Sequence, residues 1–478
     1  MTQPITALSA TELSRAIHGR HVSCVEVMTA FLDRIEALNP RFNAIISMQP
    51  REGLIQQATR ADQELAQGRS RGWLHGMPQA PKDLTETAGI ATVKGSAALR
   101  ENVPQADSIL AARMRGAGAI FIGKTNTPEF GLGSHTYNPV FGATGNAWDP
   151  ALSAGGSSGG AAVALATGML AVADGSDMMG SLRNPAGWNN VYGFRPTQGL
   201  VPSGPAPERF LHSLATDGPM GRSVQDVAMM LSIQAGHDAR DPLSLAGDGA
   251  AFAQPLAAPP RGLRIGWLGD LDGYLPTQPG VLDCCESALA HLRDLGCQVV
   301  ALEPGFPMAR LWECWLTLRH FLVAGNLGAL YDNPRTRALL KPEAIWEVEG
   351  GRALTAAQVH AASVTRTQWY LHMLKLFGDV DMLALPTAQC FPFDAAQPWP
   401  RELAGRSMDS YHRWMEVVIG PTLAGLPVLA MPAGFGPQGL PMGLQLIGPP
   451  RGDLAVLELG HAYDLIQPHT ARGNPLLA

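Results

Sequence analysis

From Ser9 to Gln67 the apolar residues recur with the spacing of helices, and polar stops fall between them. Ser9 and Thr11 are candidate caps for a first helix over Glu12 to Ile17. Ser23 caps a longer amphipathic run, Val25 to Leu38, that should stop before Pro40, and a third helix covers Arg51 to Gln67. At Leu74 the pattern changes. Gly76, Pro78, Pro81, Gly89 and Gly95 alternate with short apolar runs such as Ala119 to Ile122, which predicts short strands and helices joined by tight turns. Gly159 to Ala173 is apolar and rich in small residues, and reads as a buried helix followed by a strand. It ends at Asp174, short of the roughly 18 to 20 residues that a membrane-spanning helix needs. A Pro- and Ala-rich surface excursion follows Ala235. Beyond it, Leu263 to Leu268 (strand), Val281 to Leu295 (helix) and Gln298 to Leu302 (strand) continue a β-α-β alternation. Ala309 to Phe377 is mainly helical, and Val380 to Leu385 and Val428 to Met431 read as buried strands. The class is α/β, without internal repeats.

Composition narrows the function more than the fold. Hydrophobic residues make up 46% and charged residues 16% of 478 residues, the balance of a folded enzyme with a large core. The formal charge of −6 offers no electrostatic reason for nucleic acid or an anionic membrane as partner. The six cysteines contain no C-x-x-C pair, so no metal site is expected and a reduced cytoplasmic setting is the simplest reading. Met1 to Ser23 lacks the basic and apolar segments of a secretory signal.

Three strings carry candidate chemistry. Gly155-Gly156-Ser157-Ser158-Gly159-Gly160 surrounds two serines with glycines ahead of an apolar helix whose amide donors would point back at the loop. Gly175-Ser176-Asp177-Met178-Met179-Gly180-Ser181-Leu182-Arg183 presents Ser181 on a tight turn. The amides of Met178, Met179, Gly180 and Ser181 could there form a nest for an oxyanion, with Asp177 and Arg183 as a buried ion pair fixing the turn beside Ser176. Lys82 lies in the proline-constrained stretch Gly76 to Asp83, and acts as a base only if desolvation removes its proton. Taken singly, a Gly/Ser turn and a surface lysine are the plainer readings.

Together these strings resemble the amidase signature family, amidohydrolases with a Ser, cis-Ser, Lys triad. The likeness extends through Arg115 to Phe130, Asp217 to Met220, Ala424 to Pro427 and Gly439 to Gly448. The resemblance implies that Ser181 is the nucleophile, Ser157 the bridging serine after a cis peptide, and Lys82 the base, with Gly131 and Gly133 forming a wall of the acyl site. It also implies an amidase signature fold: one large domain with a mixed central β-sheet flanked by helices. A helical segment over 1–70, a catalytic core over 74–235 and the rest of the sheet over 261–478 would share that domain, with a variable substrate region near 305–378. Met179 departs from the family, which usually has a glycine there. The expected activity is hydrolysis of neutral aryl or alkyl amides, extending to anilides, carbamates (urethanes) and esters. Met178 and Met179 and the lack of a cationic clamp at Asn184 favour neutral substrates. No cofactor is expected, since nucleophile, relay and oxyanion donors all come from the chain. The expected partner is a small amide or carbamate, with a homodimer left open.

Rival readings stand beside this one. Gly118 to Thr125 fits the phosphate-loop pattern, yet its middle is an apolar run and Pro128 falls where the helix should start. Gly155-x-Ser157-x-Gly159 and Gly156-x-Ser158-x-Gly160 fit a hydrolase elbow with His461 as base, but Trp148 to Ala154 reads as loop where a strand is required. His135, Tyr137 and Asn138 read as turn residues, and Trp312, Trp315, His320 and Phe321 as core. A glutaminase-type subunit of a tRNA-dependent amidotransferase and a non-catalytic binding protein complete the alternatives.

Overall fold

The computed structural model describes residues 3–211, 213–466 and 474–477. Its opening helices, Ala10–His18, Cys24–Phe42 and Arg51–Ala66, follow the sequence spacing. Ser9 pairs reciprocally with Glu12, and Ser23 with Glu26, each satisfying two backbone donors that a helix start leaves free. Thr11 is not a cap; its hydroxyl donates to Asp226 at 2.7 Å and ties the helix to the rest of the domain. The second helix also runs past the expected stop at Pro40. Pro40 sits in the last turn, where it removes a single bond, and the buried face of Val27, Met28, Phe31, Leu32, Ile35 and Phe42 outweighs that loss. The helix ends at Asn43, which turns left-handed at φ 50°.

Eight strands form the central sheet: β1 Val172–Asp177, β2 Tyr192–Arg195, β3 Thr216–Gly221, β4 Arg264–Trp267, β5 Gln298–Ala301, β6 Met382–Pro386, β7 Val428–Phe435 and β8 Pro441–Ile447. Their spatial order is β5-β4-β6-β8-β7-β2-β3-β1. The predicted β-α-β unit is present, since β4 runs parallel to both β5 and β6, while every ladder from β6 to β1 is antiparallel. The sheet is therefore mixed. Strands from the 74–235 and 261–478 stretches join in it around one main core, so the chain forms one large α/β domain. The Ala119 to Ile122 run stays outside it, where Ile120–Phe121 pairs only with Pro78–Gln79.

Two features position the site. The helix Gly159–Ala166 is buried almost throughout, and Gly160 lets it press on a neighbouring loop: a Cβ there would fall 2.4 Å from the Asn126 nitrogen. The helix Met308–Asp332 packs against both Pro342–Arg352 and Ala356–Asp379. Val323, Leu327, Leu340 and Val348 there form a smaller apolar cluster with Leu132 and Tyr411. No described helix is long and apolar enough to cross a membrane, and all six cysteines are buried and unpaired.

Candidate active site

Strand β1 delivers its last residues, Ser176 and Asp177, into the turn that carries Ser181. Asp177 is fully buried at the hub of that turn. Its carboxylate takes both edges of the Arg183 guanidinium at 2.9 Å, and Arg195 donates to its backbone carbonyl. Burial alone would raise the proton affinity of Asp177, but the two arginines hold its carboxyl well below the usual range. The expected ion pair is thus present, with Arg195 as an additional partner. Gly180 closes the turn at φ 80°, where a Cβ would sit 2.9 Å from two carbons of Val418.

Asp177 also restricts the expected oxyanion donors. The Gly180 N–H donates to its Oδ1 at 2.9 Å, and the Leu182 N–H to its Oδ2 at 3.1 Å. The nest of four amides therefore narrows to three, because the Met178, Met179 and Ser181 N–H groups have no hydrogen-bond partner among the described residues.

Lys82 lies wholly inside the protein, with its Nζ 2.8 Å from Ser157 Oγ, 2.9 Å from Ser158 Oγ and 3.0 Å from Ser176 Oγ. These hydroxyls and the Ser176 carbonyl, at 3.4 Å, are all uncharged. With no carboxylate in contact, burial pulls the amine from 10.5 to about 7, and the more distant Asp217, Asp174 and Asp177 offset only part of that. The Gly156–Ser157 peptide is cis.

Ser157 and Ser181 open onto the same cavity, of about 190 Å³, where they are 3% and 5% exposed. Gly131 and Gly133 also line it, and a Cβ at Gly131 would reach 3.3 Å from Ser157 Oγ. The remaining wall is mostly apolar, with Leu84, Phe130, Met178, Met179 and Met415 prominent.

Sequence reasoning missed Ser158 as a contact of Lys82, and it missed Arg319 and Asn326, which reach the cavity from the helix Met308–Asp332. Asn184 lies behind the site, accepting from Ser134 at 2.6 Å. Position 184 thus offers no cationic clamp, but Arg319, which the sequence did not point to, is at the wall, neutralised by Glu347 at 2.6 Å.

The rival motifs resolve structurally. Lys124 of the phosphate-loop pattern is buried in a two-residue strand against Ile46 and gives its amine to Thr85 O and Thr87 Oγ1. His461 lies on the helix Asp453–Ile466 and does not line the cavity. His135 is held by Ser153 and Ala395, and Asn138, in the short strand Tyr137–Asn138, by Asn126, Thr127, Val140 and Phe141; His135 and Tyr137 line a separate small cavity beside Lys341 and Tyr411. Trp312 and Trp315 pack in the core. Among the described residues no three His, Cys, Asp or Glu are grouped to hold a metal.

The Amidase family model matches residues 26–457. An acylamidase of Rhodococcus erythropolis is 33% identical over 467 residues, covering 96% of each chain. A glutamyl-tRNA(Gln) amidotransferase subunit of Picosynechococcus sp. is 33% identical over 477 residues, covering 95% of this chain and 96% of that protein. Among solved structures, a bacterial aryl acylamidase of the amidase signature family superposes with a TM-score of 0.89 at 28% identity, covering 98% of both chains.

Proposed function

The chain belongs to the amidase family and is a hydrolase of carbon–nitrogen bonds, and within that activity we propose that it cleaves neutral aryl or alkyl amides through an acyl-enzyme on Ser181. Neutral Lys82 accepts a proton from Ser157, which accepts one from Ser181 as its oxygen attacks the substrate carbonyl. The oxyanion that forms is met by the free amides of Met178, Met179 and Ser181. Proton return through Ser157 expels the amine, and water then releases the acid by the same relay. In each step the positive charge gained by Lys82 is matched by the negative charge on the substrate oxyanion and is lost again when the proton returns, and no histidine is needed.

The observation that supports this reading most is Lys82, buried among hydroxyls within reach of Ser157, which shares a cavity with Ser181. The apolar wall favours uncharged aryl and alkyl groups, and the same acyl-enzyme route extends to anilides, carbamates and esters. A second reading, a glutaminase-type subunit of a tRNA-dependent amidotransferase, is favoured by the 33% identity to the glutamyl-tRNA(Gln) amidotransferase protein. The six buried thiols fit a reducing cytoplasm for either role.

Intact mass after treatment with a serine-reactive fluorophosphonate, for the native chain and Ser181→Ala, tests the nucleophile. Turnover of an anilide, a primary amide, an aryl carbamate and a p-nitrophenyl ester tests the substrate class. One adduct that disappears in Ser181→Ala, with turnover by the isolated chain, is expected. An adduct that survives refutes Ser181 as nucleophile, and inactivity on all four substrates refutes the broad amidase reading in favour of the amidotransferase role.

A further inference from the structure

We propose that Arg319 is a specificity-determining residue that donates a hydrogen bond to a second, neutral carbonyl-type acceptor on the substrate, apart from the bond being cleaved. The inference rests on the amide-hydrolase reading and names its substrate class more narrowly: amides that also carry a ketone, ester or further amide oxygen.

Arg319, Val323, Asn326 and Leu327 reach the cavity from one helix, at spacings of four, seven and eight residues that place them on a single face. Arg319 is 3% exposed and two sides of its guanidinium are fixed. Nε donates to Glu347 Oε1 at 2.6 Å, and Nη2 donates to the Tyr411 hydroxyl at 2.6 Å, which in turn donates to Glu347 Oε1 at 2.6 Å. The third group, Nη1, meets only the Met178 sulfur, at 3.4 Å. A thioether is a weak acceptor, so a charged donor faces the cavity without an oxygen to receive it. Because the planar fork is held on two edges, this donor is already oriented before a substrate arrives.

The requirement for a neutral acceptor follows from Glu347. It is fully buried and also receives His320 Nδ1, at 2.7 Å from Oε2. Burial would raise its proton affinity, but contact with Arg319 overrides this and keeps it ionised. The charge of Arg319 is therefore already balanced, and a substrate carboxylate would place a second anion near Glu347 in a mostly apolar cavity. A carbonyl oxygen satisfies Nη1 without that repulsion. Met178, which Nη1 touches, also carries one of the free amides of the oxyanion loop, so the donor lies beside the reacting end of the cavity.

The test uses acyl 4-nitroanilides whose chain bears an oxo group at C3, C4 or C5, each paired with the methyl-branched hydrocarbon of the same shape. A carboxylate-terminated chain and an amine-side pair, the acetamides of 4-acetylaniline and 4-isopropylaniline, complete the set. The readout is the ratio of kcat/KM within each pair. A hydrogen bond from a charged donor predicts a preference of roughly 10- to 150-fold for the oxo member of at least one pair. Arg319→Met combined with Glu347→Gln, which leaves no lone buried charge, should bring that ratio close to one. Arg319→Lys, which retains charge but loses the fork, should do the same. The carboxylate chain should be the poorest substrate of the native enzyme. Ratios near one in every native pair, or a preference that persists in both variants, overturn the proposal. A native enzyme that hydrolyses none of these anilides fails the amide-hydrolase reading instead, and the fluorophosphonate adduct reports on that reading separately.

Discussion

The Lys82 relay makes a quantitative prediction about pH. The displacement of its amine from 10.5 to about 7 corresponds to about 5 kcal/mol of lost preference for the charged form, at about 1.36 kcal/mol per tenfold change in proton affinity. At pH 7 roughly half of the molecules then hold a neutral amine, against roughly one in 3,000 for an exposed lysine. A plot of log kcat/KM for an anilide between pH 5 and 10 should rise with unit slope, bend near pH 7 and stay level above, because kcat/KM reports the ionisation of the free enzyme. A midpoint above pH 9, or no acid limb at all, would refute the argument that burial primes this amine. The same displacement has a sign in stability. Between about pH 7 and 10.5 the unfolded chain holds a proton that the folded chain has released, so stability rises with pH across that window and the deficit is complete below it. Lys82→Met removes the ionisation together with the base. Its melting temperature should exceed that of the native enzyme most at pH 7 or below, with the gap narrowing towards pH 10, while kcat/KM falls by at least about a thousandfold. A gap that does not change with pH would show that the amine is already solvated in the folded state.

Other substitutions test the turn. Gly180→Ala forces a Cβ to 2.9 Å from Val418 at φ 80°, and should cost about 1–3 kcal/mol in thermal melts with loss of most activity; native-like melting and turnover would contradict the geometry. Met179→Gly deletes a side chain that is 2% exposed and lines the cavity. It should cost about 2–5 kcal/mol and shift kcat/KM ratios towards bulkier acyl groups; unchanged ratios would remove Met179 from the pocket wall. Asp177→Asn leaves Arg183 and Arg195 facing each other without their shared anion, a loss of about 3–5 kcal/mol. Equal melting temperatures for this variant and the native chain would show that the ion pair does not hold the turn.

What could be read from sequence was local. Ser9 and Ser23 announce their helices because a cap and its partner are three residues apart, and the two Gly/Ser strings gained their meaning from occurring together with Lys82. Strands β2 and β3 escaped notice because they are buried on both faces, which leaves no alternation, and because Gly193, Gly218 and Pro219 resemble turn residues. Pro40 misled because its cost depends on where in the helix it falls, and that was set by the burial of Phe42. Arg319 was hidden for a different reason. Nothing in Leu318-Arg319-His320 distinguishes a cavity wall from a packed helix, since the partner that holds it, Glu347, arrives on another helix.

Lys82 and Arg319 show why residue type alone could not decide the chemistry. Both are cations buried beside one cavity, yet burial has opposite outcomes for them. Lys82 meets hydroxyls at 2.8 to 3.0 Å, and its carboxylates act only from farther off, so desolvation dominates and the amine becomes a base. Arg319 meets a carboxylate at 2.6 Å, so the pair stays charged and acts as a fixed hydrogen-bond donor. Their surroundings therefore set their roles, although only the amine can give up its proton, since a guanidinium stays charged inside a protein. An acidic side chain in contact with Lys82 would restore its proton and end the relay, while removal of Glu347 would leave Arg319 as an uncompensated charge open to carboxylate substrates.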